Sequence, residues 1–455
     1  MHAQIVCHNS QFLLYYLFTI STQTPSRGIR RRATRSVMAR RVVQRGAADM
    51  DRISQLPVEI LDHIMGLLPI QQAARTPVLS KVWRDLWSSL TQLCFDHHFF
   101  SYFNKKYRRA SKYIKTSSCF YAITKVLLEH KGSIRKFVCL HSKAGTLTVR
   151  SRSFDMDQWL LLVTQRGVEE IYLHFGHNEY KLPDCIFSCS TLRTLYLEGF
   201  SIEPQCSPCT LPNVTSLRFV RVGFGSRDLS NYVVHVPRLE NLSFIRCKDM
   251  FHFNITPRNL SSLTTKGYYN SESDKFLPVN LDLKSICTLD MNCSDLRYFL
   301  GQYTTKGLSL QPPALNVELL KLSNFWSGDD DEISAFVCLL SNCPKLCNLE
   351  ILLTGDLKMC IDATSGHLEK FRRVLRTKKL LSFLKLNVFE ELEPHMHFIQ
   401  EMLACLPALE KVVIIRPSYM SGLNEEHETM EEISHFPRAS AKAKIVYQLM
   451  EDPPI

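Results

Sequence analysis

Four cysteines in the middle of the sequence are its best candidates for holding a metal. Cys185 and Cys189 form a C-x3-C pair, and Cys206 and Cys209 form a C-x2-C pair sixteen residues later. Thiolates in two such pairs bind structural zinc, so the spacing is compatible with a zinc ribbon. Cys185 and Cys189, however, lie beside apolar residues, which is typical of buried, reduced thiols. We favour buried thiols and predict neither a metal site nor a cofactor.

Catalytic side chains are not arranged as enzymes require. The sequence contains no G-x-x-x-x-G-K-[ST], G-x-G-x-x-G, H-E-x-x-H or G-x-S-x-G motif. The acidic run from Asp329 to Glu332 lacks the spacing of a calcium loop and indicates a solvated turn or a helix start. His395 and His397 are two apart on a predicted helix and point in different directions. The sequence predicts a protein without catalytic residues.

Length and charge restrict the class of protein. A chain of 455 residues exceeds one ordinary core, so two or three domains or a repeat array are expected. Residues 1–49 hold eight Arg and one Asp and account for +7 of the net charge of +11, so the rest gives little support to nucleic-acid binding. The apolar run from Phe12 to Ile20 is too short to cross a bilayer and lacks the preceding charge of a signal peptide. We expect no membrane contact, and a location in the cytoplasm, the nucleus or both.

The stretch from Met50 to Leu90 predicts two amphipathic helices. Pro57 suits the first turn of a helix whose apolar residues recur at helical intervals through Leu68, and Pro69 ends it. Thr76 and Pro77 predict the start of a second helix that continues to Leu90. So small a unit cannot bury all of its apolar residues. The excess must meet either the rest of this chain or another protein.

The order of residues here resembles the F-box. The matching string is Leu56-Pro57-x-Glu59, then Ile64, Leu68-Pro69 and Val78-Leu79-Ser80-x-x-Trp83-Arg84-x-Leu86-Trp87. The resemblance implies a three-helix hook that docks on the Skp-type linker protein of a cullin-based ubiquitin ligase. It also implies that the following residues form or support that contact: Leu56, Pro57, Ile60, Leu61, Ile64, Leu68, Pro69, Val78, Leu79 and Trp83. Pro77 and Val82 depart from the plant form of the motif without undermining the match.

A second pattern, L-x-x-L-x-L, recurs through the rest of the chain. Leu192, Leu195 and Leu197 form one copy, and successive copies start mostly about 21 to 35 residues apart, around the period of leucine-rich repeats. Each copy predicts a parallel strand that buries one side and exposes the other. The leucines are core, so function belongs to the residues between them. The candidate substrate-facing residues, at the central exposed position of a predicted concave face, are Tyr172, Tyr196, Arg218, Ser243, Lys321, Glu350 and Lys385.

Three further segments are less specific. Residues 1–49 are compatible with a nuclear-import patch, a transit peptide or an upstream extension absent from the working protein. We favour the extension. The basic stretch from Tyr102 to Lys115 is compatible with a nucleic-acid contact or a solvated connector. We favour the connector. Near the end, Cys405-Leu406-Pro407 and Phe436-Pro437-Arg438-Ala439-Ser440 resemble the FBD region that closes many plant F-box/leucine-rich-repeat chains.

The predicted fold class is α/β. We expect a basic, disordered extension at 1–49, a three-helix F-box at 50–95, a helical connector at 96–132, a leucine-rich-repeat solenoid at 133–388 and an FBD-like α+β segment at 389–455. The predicted function is that of a non-catalytic substrate adaptor, which joins an unknown protein target to a Skp-type linker and through it to a cullin. The alternative is a leucine-rich-repeat scaffold that recruits no ligase. Zinc-dependent or nucleic-acid-binding function is a more distant alternative.

Overall fold

The structure is a computed structural model that describes residues 53–141, 153–175, 180–203, 209–225, 233–250, 253–267, 281, 283–296, 300, 314–325, 330–353, 366–388, 393–417 and 431–450. The predicted extension at residues 1–49 lies outside this range. The chain divides into two compact units, Met1–Gly176 and His177–Ile455. No described helix has the length and hydropathy needed to span a membrane.

The first unit is mainly helical and includes three parallel strands. Its elements are α1 (Val58–Gly66), α2 (Ile70–Ala73), a 3-10 turn (Thr76–Val78), α3 (Lys81–Ser88), β1 (Gln92–Phe95), α4 (His97–Lys106), α5 (Lys112–Glu129), β2 (Lys136–Leu140), α6 (Ser153–Gln165) and β3 (Glu170–His174). Residues that suit helix starts precede these helices. Pro57 and Pro69 occupy the N-cap positions of α1 and α2, and Asp96 Oδ1 accepts the His98 and Phe99 N–H groups at the start of α4.

The second predicted helix of the F-box segment starts later than the sequence indicated. Thr76–Val78 forms a 3-10 turn, and α3 begins only at Lys81. Ser80 is extended, and its hydroxyl accepts the Trp83 N–H at 3.5 Å, so it acts as the N-cap in place of Thr76. The apolar periodicity concealed this break because the spacing on either side of Ser80 fits one continuous helix. As a result, Val78 and Leu79 lie in a turn and not on the buried side of a helix.

The three strands of the first unit pack their apolar side chains in one register. Leu93 pairs with Phe137, which pairs with Ile171, and all three side chains are buried. Phe95 and Phe137 also meet edge to face, with centroids 6.1 Å apart. The strands therefore provide the support against which the helices of this unit pack.

The second unit is built on ten parallel strands, which follow one another across the sheet in this order: β5 (Thr194–Glu198), β8 (Ser216–Val220), β11 (Asn241–Ile245), β13 (Ser262–Lys266), β14 (Thr288–Asn292), β15 (Leu319–Phe325), β16 (Asn348–Leu353), β17 (Phe383–Val388), β18 (Lys411–Pro417) and β19 (Lys444–Met450). The repeat leucines share one register, so Leu195 pairs with Leu217 and Leu217 pairs with Leu242. The residue at this position is buried in the nine strands from β5 to β18, which gives the unit a continuous core, and Ile445 on the last strand is partly exposed.

The segments that connect these strands change in type along the unit. In the N-terminal repeats they contain short parallel strands, namely β4 (Tyr180–Lys181), β6 (Phe200–Ile202), β7 (Cys209–Thr210), β9 (Gly223–Phe224), β10 (Val233–His235) and β12 (Asn254–Ile255). In the C-terminal repeats they contain helices α7 (Asp330–Ser341), α8 (Gly366–Arg376) and α9 (Glu393–Cys405). Short 3-10 turns at Asp184–Ile186, Leu283–Ser285 and Cys293–Asp295 also lie in the described parts of this unit.

The segment that resembles an FBD region extends the same sheet. Helix α9 precedes β18, and β19 pairs with β18 from Lys444 to Met450 as the last strand. Arg372 and Glu401 join α8 to α9 through two hydrogen bonds of 2.7 and 2.6 Å. The fold is therefore the predicted α/β class, with a helical N-terminal part followed by parallel repeat strands.

Candidate functional site

An apolar surface of the F-box segment is left uncovered in the first unit. Eight large apolar side chains of this segment are exposed, and we call them the docking surface: Ile53, Leu56, Val58, Ile60, Leu67, Val78, Leu79 and Val82. Leu67 is 72% exposed, and Leu79 and Val78 are 67% and 64% exposed. Single exposed apolar residues are common, but eight of them within residues 53–82 are not, so this segment is typical of a contact with another molecule.

The ten predicted linker-binding residues divide by burial. Leu56, Pro57, Ile60, Val78 and Leu79 are exposed, and Ile64, Leu68 and Pro69 are partly exposed. These eight are accessible to a partner. Leu61 and Trp83 are buried, at 2% and 8% exposure, so their place is to support the surface from below. Their roles in binding stay predictions.

Trp83 ties the start of the motif to α3. Its indole Nε1–H donates a hydrogen bond of 3.1 Å to the Ser54 hydroxyl, 29 residues earlier in the chain. The ring itself is buried, so it also contributes apolar packing. Replacing Trp83 therefore changes the shape of the docking surface without removing a side chain that a partner could touch.

Four members of the docking surface were not among the predicted contact residues. They are Ile53, Val58, Leu67 and Val82. Leu67 belonged to the apolar face predicted for α1, but the structure leaves it the most exposed member of the docking surface. The signal that could have identified these residues is their excess over what so short a segment can bury.

A polar pocket lies beside α1 in the same unit. It has a volume of about 530 Å³, and its lining includes Glu59, Asp62, Arg135 and Glu170. Several of these groups hold elements together. Asp62 Oδ1 accepts the Thr91 N–H at 2.9 Å, and its other oxygen accepts the Thr91 hydroxyl, which fixes α1 at the start of β1. We therefore interpret the pocket as a structural feature whose hydrogen bonds fix the orientation of α1 relative to β1.

The predicted substrate-facing residues occupy one position of successive strands. Tyr172 lies on β3 of the first unit. In the second unit Tyr196 pairs with Arg218 and Arg218 with Ser243. Farther along, Glu350 pairs with Lys321 on one side and Lys385 on the other. We call the row of the second unit the open face, since its side chains alternate with the buried leucines.

The open face has two chemical regions. At its N-terminal end, Arg218 lies over the Tyr196 ring at 5.8 Å, and Tyr196 donates a 2.8 Å hydrogen bond to Glu198. Burial and that hydrogen bond raise the pKa of Tyr196 to about 12, so the hydroxyl stays protonated. At its C-terminal end, Lys321 and Glu350 form an ion pair of 3.1 Å. Aromatic, cationic and paired groups of this kind suit contact with a protein surface.

Within the described part of the chain, the candidate metal-binding and catalytic residues do not come together in one site. Cys206 lies outside the described residues, Cys189 and Cys209 are buried, and the Cys189 thiol lies 3.4 Å from the Thr191 hydroxyl. Burial raises the pKa of Cys119, Cys247 and Cys343 to about 12, which keeps them as thiols. His395 is buried and His397 is exposed, so they point in different directions.

One cluster of potential metal ligands occurs among the described residues, at Asp96, His97 and His98. Asp96 already caps α4, and both histidines are exposed. The positive end of the helix dipole also disfavours a cation at this position. We assign no metal to it.

A helical segment with exposed apolar side chains, followed by parallel leucine-rich strands, is an arrangement similar to that of F-box/leucine-rich-repeat proteins. Comparisons with known proteins identify the same two parts. The family model described as F-box domain matches residues 53–94, and the one described as FBD-associated F-box protein At5g56370, LRR repeats matches residues 156–277.

Relatives from Arabidopsis thaliana extend this similarity over most of the chain. F-box/FBD/LRR-repeat protein At1g13570 is 26% identical over 425 residues, which are 87% of this chain and 98% of the relative. F-box/LRR-repeat protein At3g26922 is 27% identical over 47% of this chain and 66% of its own length. Putative FBD-associated F-box protein At5g56690 is 32% identical over 43% of this chain and 48% of its own.

These matches confirm that the chain is similar to plant F-box/FBD/leucine-rich-repeat proteins. Proteins of this type are typically non-enzymatic adaptors, and neither matched family model describes a catalytic domain. Among solved structures, the TLR13-ssRNA13 complex aligns with 63% of this chain and 50% of its own at 13% identity and a TM-score of 0.27, which is too low to support any argument.

Proposed function

We propose that this chain is a substrate-recognition adaptor of a Skp-cullin-F-box type E3 ubiquitin ligase. In this proposal the docking surface binds the Skp-type linker protein, and the linker connects the chain to a cullin. The open face binds the target protein. The chain works without catalytic residues, in the cytoplasm, the nucleus or both.

The observation that carries the proposal is the exposure of the docking surface. Burying a Leu or Val side chain contributes about 1.5–3 kcal/mol relative to leaving it in water. Eight such side chains left exposed on one short segment therefore represent several kcal/mol that a partner can recover. Leu61, Met65 and Leu86 are buried beneath them, so the surface has a packed support and need not fold on binding.

The proposed mechanism is proximity. A target held on the open face is tethered near the ubiquitin-charged component of the ligase, which raises its effective concentration there. This mechanism requires rigid geometry from the adaptor. Within the second unit each strand from β5 to β19 pairs with the next one in the sheet, and this regular pairing supports such a geometry.

The direct test is binding of the full chain to a purified Skp-type linker by isothermal titration calorimetry. The proposal expects a one-to-one complex. Failure to bind any linker from the same organism, by a chain shown to be folded, would favour the alternative of a scaffold that recruits no ligase.

Target binding requires a separate test. We define a target as a protein whose abundance rises when the proteasome is inhibited. Proximity labelling should recover such proteins with the wild-type chain. A Lys321→Glu and Glu350→Lys exchange, which preserves the ion pair but reverses its direction, should change the recovered set. The matched control is the Lys181→Glu and Glu203→Lys exchange, whose 3.5 Å ion pair lies in the second unit outside the open face. An identical set from the wild type and both variants would contradict target binding at Lys321 and Glu350.

A further inference from the structure

A stretch of the first unit carries positive charge without any acidic residue. Between Asp96 and Glu129 the sequence has no Asp or Glu, and the basic residues there are Lys105, Lys106, Arg108, Arg109, Lys112, Lys115 and Lys125. Most of these side chains are at least partly exposed and can be solvated. A counter-charge for any of them that is not solvated must come from outside this stretch.

Lys106, the last residue of α4, is the exception. Its ammonium nitrogen is buried and has no hydrogen-bond partner within the described part of the chain. It lies 5.8 Å from the centroid of the Tyr102 ring and 5.7 Å from that of Tyr107. The faces of these rings attract a cation but accept none of its three N–H groups in a normal hydrogen bond.

A second cation lies at the same ring. The guanidinium carbon of Arg75 is 6.0 Å from the Tyr102 centroid, and Arg75 donates a hydrogen bond to the Tyr102 hydroxyl. Burial, followed by the charge of Arg75, lowers the pKa of Lys106. Burial raises the pKa of Tyr102, so its hydroxyl keeps a proton that it can donate.

Arg75, Lys106 and the Tyr102 hydroxyl thus lie close together, and the described residues offer no hydrogen-bond partner to the Lys106 ammonium. Bringing like charges together is unfavourable, and leaving an ammonium desolvated adds to the cost. Lys106 is partly exposed as a residue, so a rotation of its side chain can present the ammonium to an anionic oxygen from outside. Such an oxygen would accept from Lys106 and Tyr102 and would offset the repulsion between Lys106 and Arg75. Charge-assisted hydrogen bonds of this kind are about twice as strong as neutral ones.

The cluster is continuous with the docking surface. The carbonyl oxygen of Arg75 accepts the N–H of Val78 at 3.4 Å, within the turn that leads to Leu79. Val78 and Leu79 are two of the most exposed members of the docking surface. Arg75 therefore belongs to the same turn as Val78 and Leu79, close to where a protein seated on these two side chains would lie.

We propose that Arg75, Lys106 and Tyr102 form a receptor for a carboxylate of the Skp-type linker protein, at the edge of the apolar contact. The inference rests on the proposed function and adds to it a polar contact that fixes the orientation of the partner. Apolar packing on the docking surface supplies affinity, whereas a single buried ion pair restricts how the two proteins can be aligned.

The test compares Lys106→Gln with Lys105→Gln in the full chain. Lys105 is exposed and lies next to Lys106, so the control removes the same charge one residue away. Titration with the purified linker should show about tenfold weaker binding for Lys106→Gln and less than about a twofold change for Lys105→Gln. Lys106→Arg, which keeps the charge, should bind within about threefold of the wild type.

Thermal unfolding of the free chain separates a receptor from a structural lysine. Because Lys106 is repelled by Arg75 and finds no hydrogen-bond partner among the residues that the structure describes, Lys106→Gln should leave the melting temperature unchanged or raise it. A lowered melting temperature would show that Lys106 stabilises the free fold and would overturn the inference. Sodium phosphate compared with sodium chloride at equal ionic strength tests a free oxyanion. A rise in melting temperature with phosphate that Lys106→Gln abolishes would assign the cluster to a small anion instead of the linker.

Three further outcomes of the linker titrations also test the inference. If the wild type binds the linker and Lys106→Gln binds equally well, the inference fails while the proposed function stands. Equal weakening by Lys105→Gln and Lys106→Gln would indicate a general positive field and overturn a specific receptor. If the folded wild type binds no linker, the proposed function and this inference fail together.

Discussion

Replacing Val78 and Leu79 with Ala is the most direct way to perturb the docking surface. Both side chains lie in the turn between α2 and α3 and are about two-thirds exposed. Replacing both with Ala removes apolar surface that a partner would cover, without creating a cavity in the core. The free energy of unfolding of the free chain should therefore change by less than about 0.5 kcal/mol.

The expected loss of affinity follows from this exposure. Full burial of a Val or Leu side chain contributes about 1.5–3 kcal/mol, and about two-thirds of each side chain remains to be taken from water. Each Ala keeps one methyl group, so each change should cost about 1–1.5 kcal/mol and the pair about 2–3 kcal/mol. The dissociation constant of the linker complex should then rise about 30- to 150-fold.

The assay is calorimetric titration of the full chain with the purified linker protein. Leu380→Ala is the matched control, because Leu380 is 55% exposed and belongs to the second unit. The control should bind as the wild type does. Equal affinity of the Val78→Ala/Leu79→Ala variant and the wild type would refute the assignment of these two residues to the contact.

Three further predictions concern stability. Lys378 is buried and its ammonium donates to the carbonyl oxygens of Leu340 and Cys343, so Lys378→Met should lower the free energy of unfolding by about 2 kcal/mol in urea; an unchanged midpoint would contradict this. Burial, with the charge of Arg166, lowers the pKa of His130 to about 4, whereas the unfolded value is about 6.5. The unfolded chain therefore binds a proton first as the pH falls, and at pH 5 the wild type should lose about 2 kcal/mol relative to pH 7 that His130→Gln does not lose; identical pH profiles would refute the cause. Arg246 has a φ of 54°, so Arg246→Gly should raise the unfolding free energy by about 0.5–1 kcal/mol, and a loss would mean that its side-chain contacts outweigh the backbone strain.

The sequence was sufficient for the fold because its strongest signals are local. The L-x-x-L-x-L pattern predicted the strands that carry Leu195, Leu217 and Leu349, and the structure pairs these strands in parallel. The F-box string likewise predicted a helical segment with excess apolar residues. Both signals depend on spacing within a few residues, where periodicity and backbone geometry are directly linked.

The details of the F-box surface depended on features that spacing does not reveal. Ser80 could have lain within a helix, and only its extended backbone and bond to the Trp83 N–H show that it is a cap. That cap leaves Val78 and Leu79 in an exposed turn and Trp83 in the core. An apolar residue at helical spacing was therefore evidence of burial for Trp83 but not for its neighbours.

Contacts between residues that are distant in the chain could not be predicted from the sequence, for a different reason. Arg75 and Lys106 meet at the Tyr102 ring because α4 returns past the turn after α2, and no pattern within either segment encodes that arrangement. The basic stretch was accordingly predicted as a solvated connector. The structure shows that its first part belongs to α4 and that one of its ammonium groups is buried.

The central claim is that the docking surface binds a Skp-type linker protein. Hydrogen–deuterium exchange of the full chain, free and saturated with purified linker, tests it most directly. The account predicts slower exchange in Val58–Gly66 and in the turn Thr76–Val78, with no change in β16 and β17 of the open face. Unchanged exchange at both F-box segments, or protection confined to the repeat strands, would contradict it.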